Sequence, residues 1–458
     1  FVFYILLKYD LSIILINIYN MESPLNSITP IDGRYRKKVE ELSNYFSEYS
    51  FIRYRILVEI EYLIALSKID LLDDLTEQEI VYLKNIYQNF SLSDAERVKS
   101  IEAEIQHDVK AIEYYIKEKI NESQTLEEKG ISIFVHFALT SQDINNTANI
   151  IMIKSATQKV LLPKINEILK KLKQLILDWS KVPILTRTHG QPASPSFLGK
   201  ELLVFYERLV IQSRKLNAIQ YYTKFGGAVG NFNAHHMALP NIDWIDFSNK
   251  FIKMLGLERN QYTTQIDHYD NYGEIFDIIR RINTIFIDFS QDIWSYISHN
   301  YFTLKIVEKE VGSSTMPHKV NPINFENAEG NFMLGNNLLQ FLSNKLPISR
   351  MQRDLTDSTV LRNVGVAYSY TLIALKSFSD GLGKLDLNTK KLNQDLEDNF
   401  CIVSEGIQTR LKVLGIDNSY ETFKELTRNN DKTKIKEGIK KLIDSLDIDE
   451  SEKKYLNT

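Results

Sequence analysis

From Gly312 to Pro322 the chain reads GSSTMPHKVNP. Ser313 and Ser314 follow a glycine, Lys319 and two prolines come after them, and no apolar period is present that a helix or half-buried strand requires. The stretch is a loop that carries paired hydroxyls and one fixed cation. A second polar segment, RTHGQPASP (Arg187 to Pro195), sets His189 beside Gly190, where an imidazole is able to donate a proton near neutral pH. A lone histidine is more often structural, so that segment leaves both roles open. The third, SRMQRDLTDSTVLRN (Ser349 to Asn363), holds Arg350, Arg353 and Arg362 beside Thr356, Ser358 and Thr359, in a chain with 39 lysines and only 16 arginines. Arginine suits planar, bidentate binding of phosphate or carboxylate. A solvated helix start laced with salt bridges accounts for the same residues. QHDVKA (Gln106 to Ala111) and LTSQDINN (Leu139 to Asn146) are two further polar segments of a kind that a helical core does not need.

The elements that position these loops are long helices. Only 10 prolines and 18 glycines occur in 458 residues, and apolar residues recur at three and four, which predicts an all-α fold. Between Tyr272 and His299, Ile275, Ile278, Ile282, Ile285, Phe289, Ile293 and Tyr296 step by 3, 4, 3, 4, 4 and 3. Ile279, Phe286, Ile287, Trp294 and Ile297 widen that stripe, as expected of a helix inside a bundle or an oligomer. Similar segments run through 151–180, 197–222, 323–345 and 359–382. The expected organisation is a helical region over 21–130, a central long-helix bundle over 131–383 and a helical tail over 384–458. Residues 1–20 are an apolar extension, interrupted by Lys8 and Asp10 and so too short in its runs for a membrane span. It lacks a basic start and a small-residue cleavage site, and reads as an upstream extension with targeting as the alternative.

With 55 Lys+Arg against 59 Asp+Glu the net charge is -4, which gives no sign of nucleic-acid or membrane steering. The one cysteine, Cys401, excludes an intrachain disulfide and reads as a core thiol in a reducing compartment. FGGAVGN (Phe225 to Asn231) follows no strand pattern and is a weak dinucleotide signal. His235 and His236 are adjacent and point apart on a helix, so a structural or surface role is favoured over a metal site. No metal-ligand spacing is present and no cofactor is expected.

GSSTMPHKVNPINFE resembles the signature of the fumarase/aspartase superfamily, whose members eliminate fumarate from succinyl-type substrates. SPLNSITPIDGRY, QHDVKA, TSQDIN, RTHGQPASP, GAVGNFNAHH, TTQID and QRDLTDSTVLRN resemble the bacterial-type branch of the adenylosuccinate lyase family, in order from about residue 23 to beyond 425. The resemblance implies β-elimination of fumarate from adenylosuccinate to give AMP, and from the succinylated aminoimidazole carboxamide nucleotide one stage earlier. Ser313 matches the base and His189 the acid, with Glu326 orienting His189. A serine hydroxyl becomes a base only if closure of its loop surrounds the alkoxide with N–H donors and positive charge, here Lys319 and the start of the next helix.

By the same resemblance Lys319, Asn321, Thr140 and Ser141 hold the fumaryl carboxylates, Gln265 meets the succinyl part, and Ser314 belongs to the same substrate-binding loop. His107 and Asp108 match the segment near the nucleotide phosphate, as do Arg34 and Tyr35, and His107 counts among the catalytic positions. Arg353, Ser358 and Arg362 match ribose-phosphate contacts. Gln142 stands where many relatives have glutamate and receives no role. The family implies a cytoplasmic homotetramer whose sites draw on several subunits, with neither nucleic acid nor membrane as partner. A non-catalytic relative is one rival, disfavoured because His107, His189, Ser313 and Lys319 are all present; the nearer one is another lyase of the superfamily, acting on aspartate, malate or argininosuccinate. Such small substrates do not call for the arginine cluster or for DGRY.

Overall fold

A computed structural model describes residues 24–69, 71–305, 320–416, 421, 423–424 and 432–457. The apolar extension over 1–20 lies outside them, and so do Ser313, Ser314 and Lys319. The fold is all-α, with three two-stranded sheets as its β structure among the described residues. The helices that frame the candidate residues are α1 (Glu48–Leu66), α2 (Asp108–Asn121), α3 (Ser141–Ala156), α4 (Leu162–Asp178), α5 (Leu198–Ala218), α6 (Asp270–Ser298), α7 (Ile323–Lys345), α8 (Thr356–Leu361) and α9 (Val364–Lys384). None of the described helices is long and apolar enough to cross a membrane.

The 272–299 periodicity becomes α6, and Tyr272, Ile275, Phe276, Ile279, Ile282, Phe286, Phe289 and Ile293 are all buried along it. The segment expected over 151–180 is longer and less regular. α3 runs through a π-helical turn at Thr157–Leu161 into α4. The cause is Pro163: it has no N–H for the carbonyl four residues back, its ring crowds that carbonyl, and a widened turn relieves both.

The chain folds into two compact units. The first comprises the described residues up to Glu167, Ile211–Ile287 and Asn327–Ser377. Its core packs α1 and α2 with the helices Glu77–Gln88 and Leu92–Ile105, through Ile56, Ile60, Leu83, Val98, Ile112 and Ile116. Thr76 and Ser91 close those two helices with reciprocal capping boxes.

The second unit comprises Ile168–Val210, Asp288–Glu326 and Phe378 onward. Within it the rings of Phe205 and Phe289 stack at 4.3 Å, and Phe378 lies 5.2 Å from Phe289 and 5.5 Å from Phe325. Gly381 is required there, because a Cβ would sit 2.8 Å from the Phe325 ring. A small C-terminal core of Ile407, Leu411, Ile439 and Ile443 includes Cys401, half-buried at its edge.

RTHGQPASP is not a loop between helices. Strands β1 (Pro183–Thr188) and β2 (Gln191–Phe197) pair antiparallel across it, joined by His189 and Gly190 alone. Both linking residues have positive φ, 53° and 74°. A two-residue hairpin of the I′ kind demands that conformation, which the twist of the flanking strands selects. Pro192 and Pro195 are tolerated in β2 because each strand of a two-stranded ribbon is an edge.

Candidate active site

Three distant stretches converge in the first unit on a cavity of about 770 Å³. His107 and Asp108 come from the start of α2, Ser141 from the start of α3, and Arg353, Ser358 and Arg362 from the segment around α8. Six residues singled out in the sequence thus share one wall. Local geometry explains the first pair. Gln106, in the left-handed region at φ 56°, ends one helix, and His107 at once caps the next by accepting from the Lys110 N–H through Nδ1 at 3.1 Å. The reversal leaves Asp108 at a helix N-terminus, where a carboxylate is favoured.

Behind this pair lies Arg55 of α1, buried to 2% exposure. Its guanidinium lies 3.7 Å from the Phe51 ring centroid, with Nε donating to Asn145 at 2.7 Å and Nη2 to Asp108 at 2.7 Å. Burial pushes the Asp108 carboxyl up, yet the charge and hydrogen bond of Arg55 outweigh it, and the group ends below the usual carboxylate range. Arg362 reaches Glu48 at 2.9 Å and lies 3.8 Å from Asp108.

Arg353 donates through Nη2 to Ser358 at 3.0 Å and through Nη1 to Gln265 at 3.5 Å, while its buried Nε makes no hydrogen bond to a described residue and lies 3.9 Å from the Asp357 carboxylate. The α8 segment is pinned from below. Asn146 donates to the Tyr269 hydroxyl at 2.8 Å, and that hydroxyl donates to the buried Asp357 at 2.8 Å.

The remaining expected residues are placed differently. Thr140 precedes α3, its N–H donating to Asp143 at 2.9 Å. Arg34 and Tyr35 do not line the cavity; Arg34 lies 5.9 Å from the Tyr35 ring centroid, and Asn327 donates to the Tyr35 hydroxyl at 3.2 Å. In the second unit His189 is exposed at the hairpin tip, with no side-chain hydrogen bond to any described residue. Asn321 is half-buried just before α7. Glu326, in the first turn of α7, accepts from Trp294 Nε1 at 3.1 Å. Its expected pairing with His189 is not among the contacts of the single chain.

Comparison with known proteins matches residues 33–335 to a lyase family and 349–458 to the C-terminal domain of adenylosuccinate lyase. The chain is 51% identical to adenylosuccinate lyase of Dictyostelium discoideum over 441 residues, 94% of each chain. It is 46% identical to the Escherichia coli K12 enzyme of that name over 437 residues, 95% of each. The chain belongs to the adenylosuccinate lyase family. Solved structures with the same fold include a fumarate lyase from Mesorhizobium sp. BNC1, with TM-score 0.70 at 15% identity over 88% of this chain and 89% of that one. A 3-carboxy-cis,cis-muconate lactonizing enzyme from Pseudomonas putida gives TM-score 0.71 at 16% identity over 92% of each.

Sequence reasoning missed two parts of this adenylosuccinate lyase framework. Arg55 stands in FIRYRILVEI, where nothing distinguishes a buried arginine from a surface one. The other is a fully buried ion pair. Lys224 Nζ meets Asp143 at 2.6 Å, and the N–H groups of Gly226 and Gly227 donate to the same carboxylate at 2.8 and 3.1 Å. So FGGAVGN cradles an internal carboxylate, not a phosphate. Burial pushes the Asp143 carboxyl up, but Lys224 and these donors bring it below its ordinary value. His235 is buried against Tyr62, its imidazole held down to about 4 chiefly by burial, while His236 is exposed. The two do point apart, and no group of metal-ligating residues occurs among the described residues.

Proposed function

We infer that the chain catalyses β-elimination of fumarate from adenylosuccinate, giving AMP, and the matching step on the succinylated aminoimidazole carboxamide ribonucleotide, giving AICAR. Identity to adenylosuccinate lyases over nearly the whole chain supports the reaction. The observation that carries the site is the convergence of His107, Asp108, Ser141, Arg353, Ser358 and Arg362 on one cavity large enough for a nucleotide. The buried Arg353 Nε makes no hydrogen bond to a described residue, its nearest carboxylate, Asp357, lying 3.9 Å away, and an anionic ligand would supply the missing acceptor.

In this reading Ser313 takes the proton from the carbon beside a carboxylate, and His189 protonates the departing nitrogen as the C–N bond breaks. The electron pair from the C–H bond moves into the neighbouring carboxylate, so the intermediate carries extra negative charge. Lys319, Asn321, Thr140 and Ser141 stabilise it. Gln265 and Ser314 contact the succinyl part, Glu326 orients His189, and Arg34 and Tyr35, which lie outside the cavity lining of a single chain, reach the phosphate from another copy. The bundle over 131–383, between helical regions 21–130 and 384–458, joins four copies into a cytoplasmic tetramer. Each site takes the His107, His189 and Ser313 regions from three subunits.

The test is to mix purified protein with adenylosuccinate and follow absorbance loss together with fumarate release. Turnover of aspartate or argininosuccinate with none of adenylosuccinate would replace this reading with the superfamily rival.

A further inference from the structure

Four charged groups on the cavity wall form two ion pairs around one aromatic ring. Arg55 and Arg362 lie 3.7 and 6.0 Å from the centroid of Phe51. Asp108 is committed to Arg55 at 2.7 Å, whereas Arg362 is 3.8 Å from Asp108 and takes its close partner, at 2.9 Å, from Glu48. The two pairs differ in exposure. Arg55 has 3% of its side chain exposed, while Arg362 has 50% and Glu48 41%. The first pair is a fixed support, since removing one partner strands a buried charge. The second is weak and exchangeable, since pairs this exposed add little to stability.

We propose that Glu48 is a placeholder anion, holding the Arg362 fork in the unliganded cavity and yielding it to the substrate's phosphate on binding. This rests on the reading of the cavity as the phosphate end of the site. A phosphomonoester offers the guanidinium two parallel hydrogen bonds, which the single Glu48 contact does not match. The displaced carboxylate is not stranded, because Lys99 lies 3.7 Å from its other oxygen. The exchange keeps Arg362 oriented and neutralised before substrate arrives, and subtracts a small amount from phosphate affinity. Glu48 is thus a positioning residue for Arg362, acting at the phosphate end of the site alone.

The test measures inhibition of fumarate release by inorganic phosphate and, separately, by succinate, in wild type, Glu48→Gln, Arg353→Gln, Arg362→Gln and the Glu48→Gln/Arg362→Gln double variant. The phosphate-dependent rise in Tm gives the same ranking for variants that turn over too slowly. Glu48→Gln should tighten phosphate roughly two- to fivefold, the range of an exposed ion pair. It should leave succinate inhibition alone and have no effect once Arg362 is glutamine. Phosphate affinity that is unchanged or weaker in Glu48→Gln overturns the placeholder, and so does tightening that persists without Arg362 or that appears for succinate. If phosphate affinity responds to neither Arg353→Gln nor Arg362→Gln, the cavity is not the phosphate end and the proposal falls with that reading. Sensitivity to the arginines without sensitivity to Glu48 sinks the placeholder alone.

Discussion

The arginine-lined cavity and the hairpin tip at His189 hold their candidate residues by opposite means. In the cavity the arginines are each tied to a neighbour: Arg55 to Asp108 and Asn145, Arg362 to Glu48, Arg353 to Ser358 and Gln265. His189 is exposed and has no such tie among the described residues, and only its backbone, in a left-handed turn, fixes it. One chain is enough to organise the arginine-lined wall. The group assigned to proton transfer is exposed at the hairpin tip, as expected if another copy of the chain covers it.

The sharpest test of that contrast is at the chemical groups. His189→Ala and Ser313→Ala should each lower kcat by about 10²-fold to 10⁴-fold, the range for a lost acid or base, with KM nearly kept. A mild Ser313→Ala beside a crippling Ser314→Ala would move the base by one residue.

Next in size is what mixing restores. If each site takes His189 and Ser313 from different chains, the two inactive variants, dissociated and reassembled in equal amounts, give about one site in four with both groups intact. Activity should climb towards a quarter of wild type. Reassembled mixtures that stay inactive would put both groups on one chain, and the outward-facing His189 would need another explanation.

A smaller effect is expected at the cavity wall. Arg362→Lys keeps the charge and loses the planar fork, so KM should rise about tenfold, the cost of one charge-assisted hydrogen bond, with kcat little changed. Michaelis constants for both substrates check this, and an unaltered KM would reduce the cluster to a surface salt bridge.

What was legible in the sequence follows the same division. The 3.6 period located α6 within two residues of its observed ends, because burial along that helix is dictated by its own side chains. The cavity residues were legible as residues that a core does not require, and segments from 107 to 362 meet in one wall. Partners distant in sequence were not. Lys224 and Asp143 are 81 residues apart, Arg55 and Asp108 are 53, and no local pattern marks either pair. The hairpin was hidden by two prolines that argue against a strand, although His-Gly, a dipeptide able to hold two positive φ angles, was the available signal.

That turn supplies the smallest expected effect, and it separates backbone from contact as the origin of the His189 position. Gly190 sits at φ 74° with nothing within 4 Å of where a Cβ would go, so a side chain there meets open space. Any cost of Gly190→Ala is therefore conformational, about 1–2 kcal/mol for an L-residue forced into the left-handed region. Asparagine bonds locally and enters that region more readily, so Gly190→Asn should cost less than half as much. Calorimetric Tm should fall in the order glycine, asparagine, alanine, with kcat following the same order as the hairpin tip loosens. Equal losses for alanine and asparagine would mean that Gly190 is required for room that another chain occupies, and the tip would then be held by contact and not by its own turn.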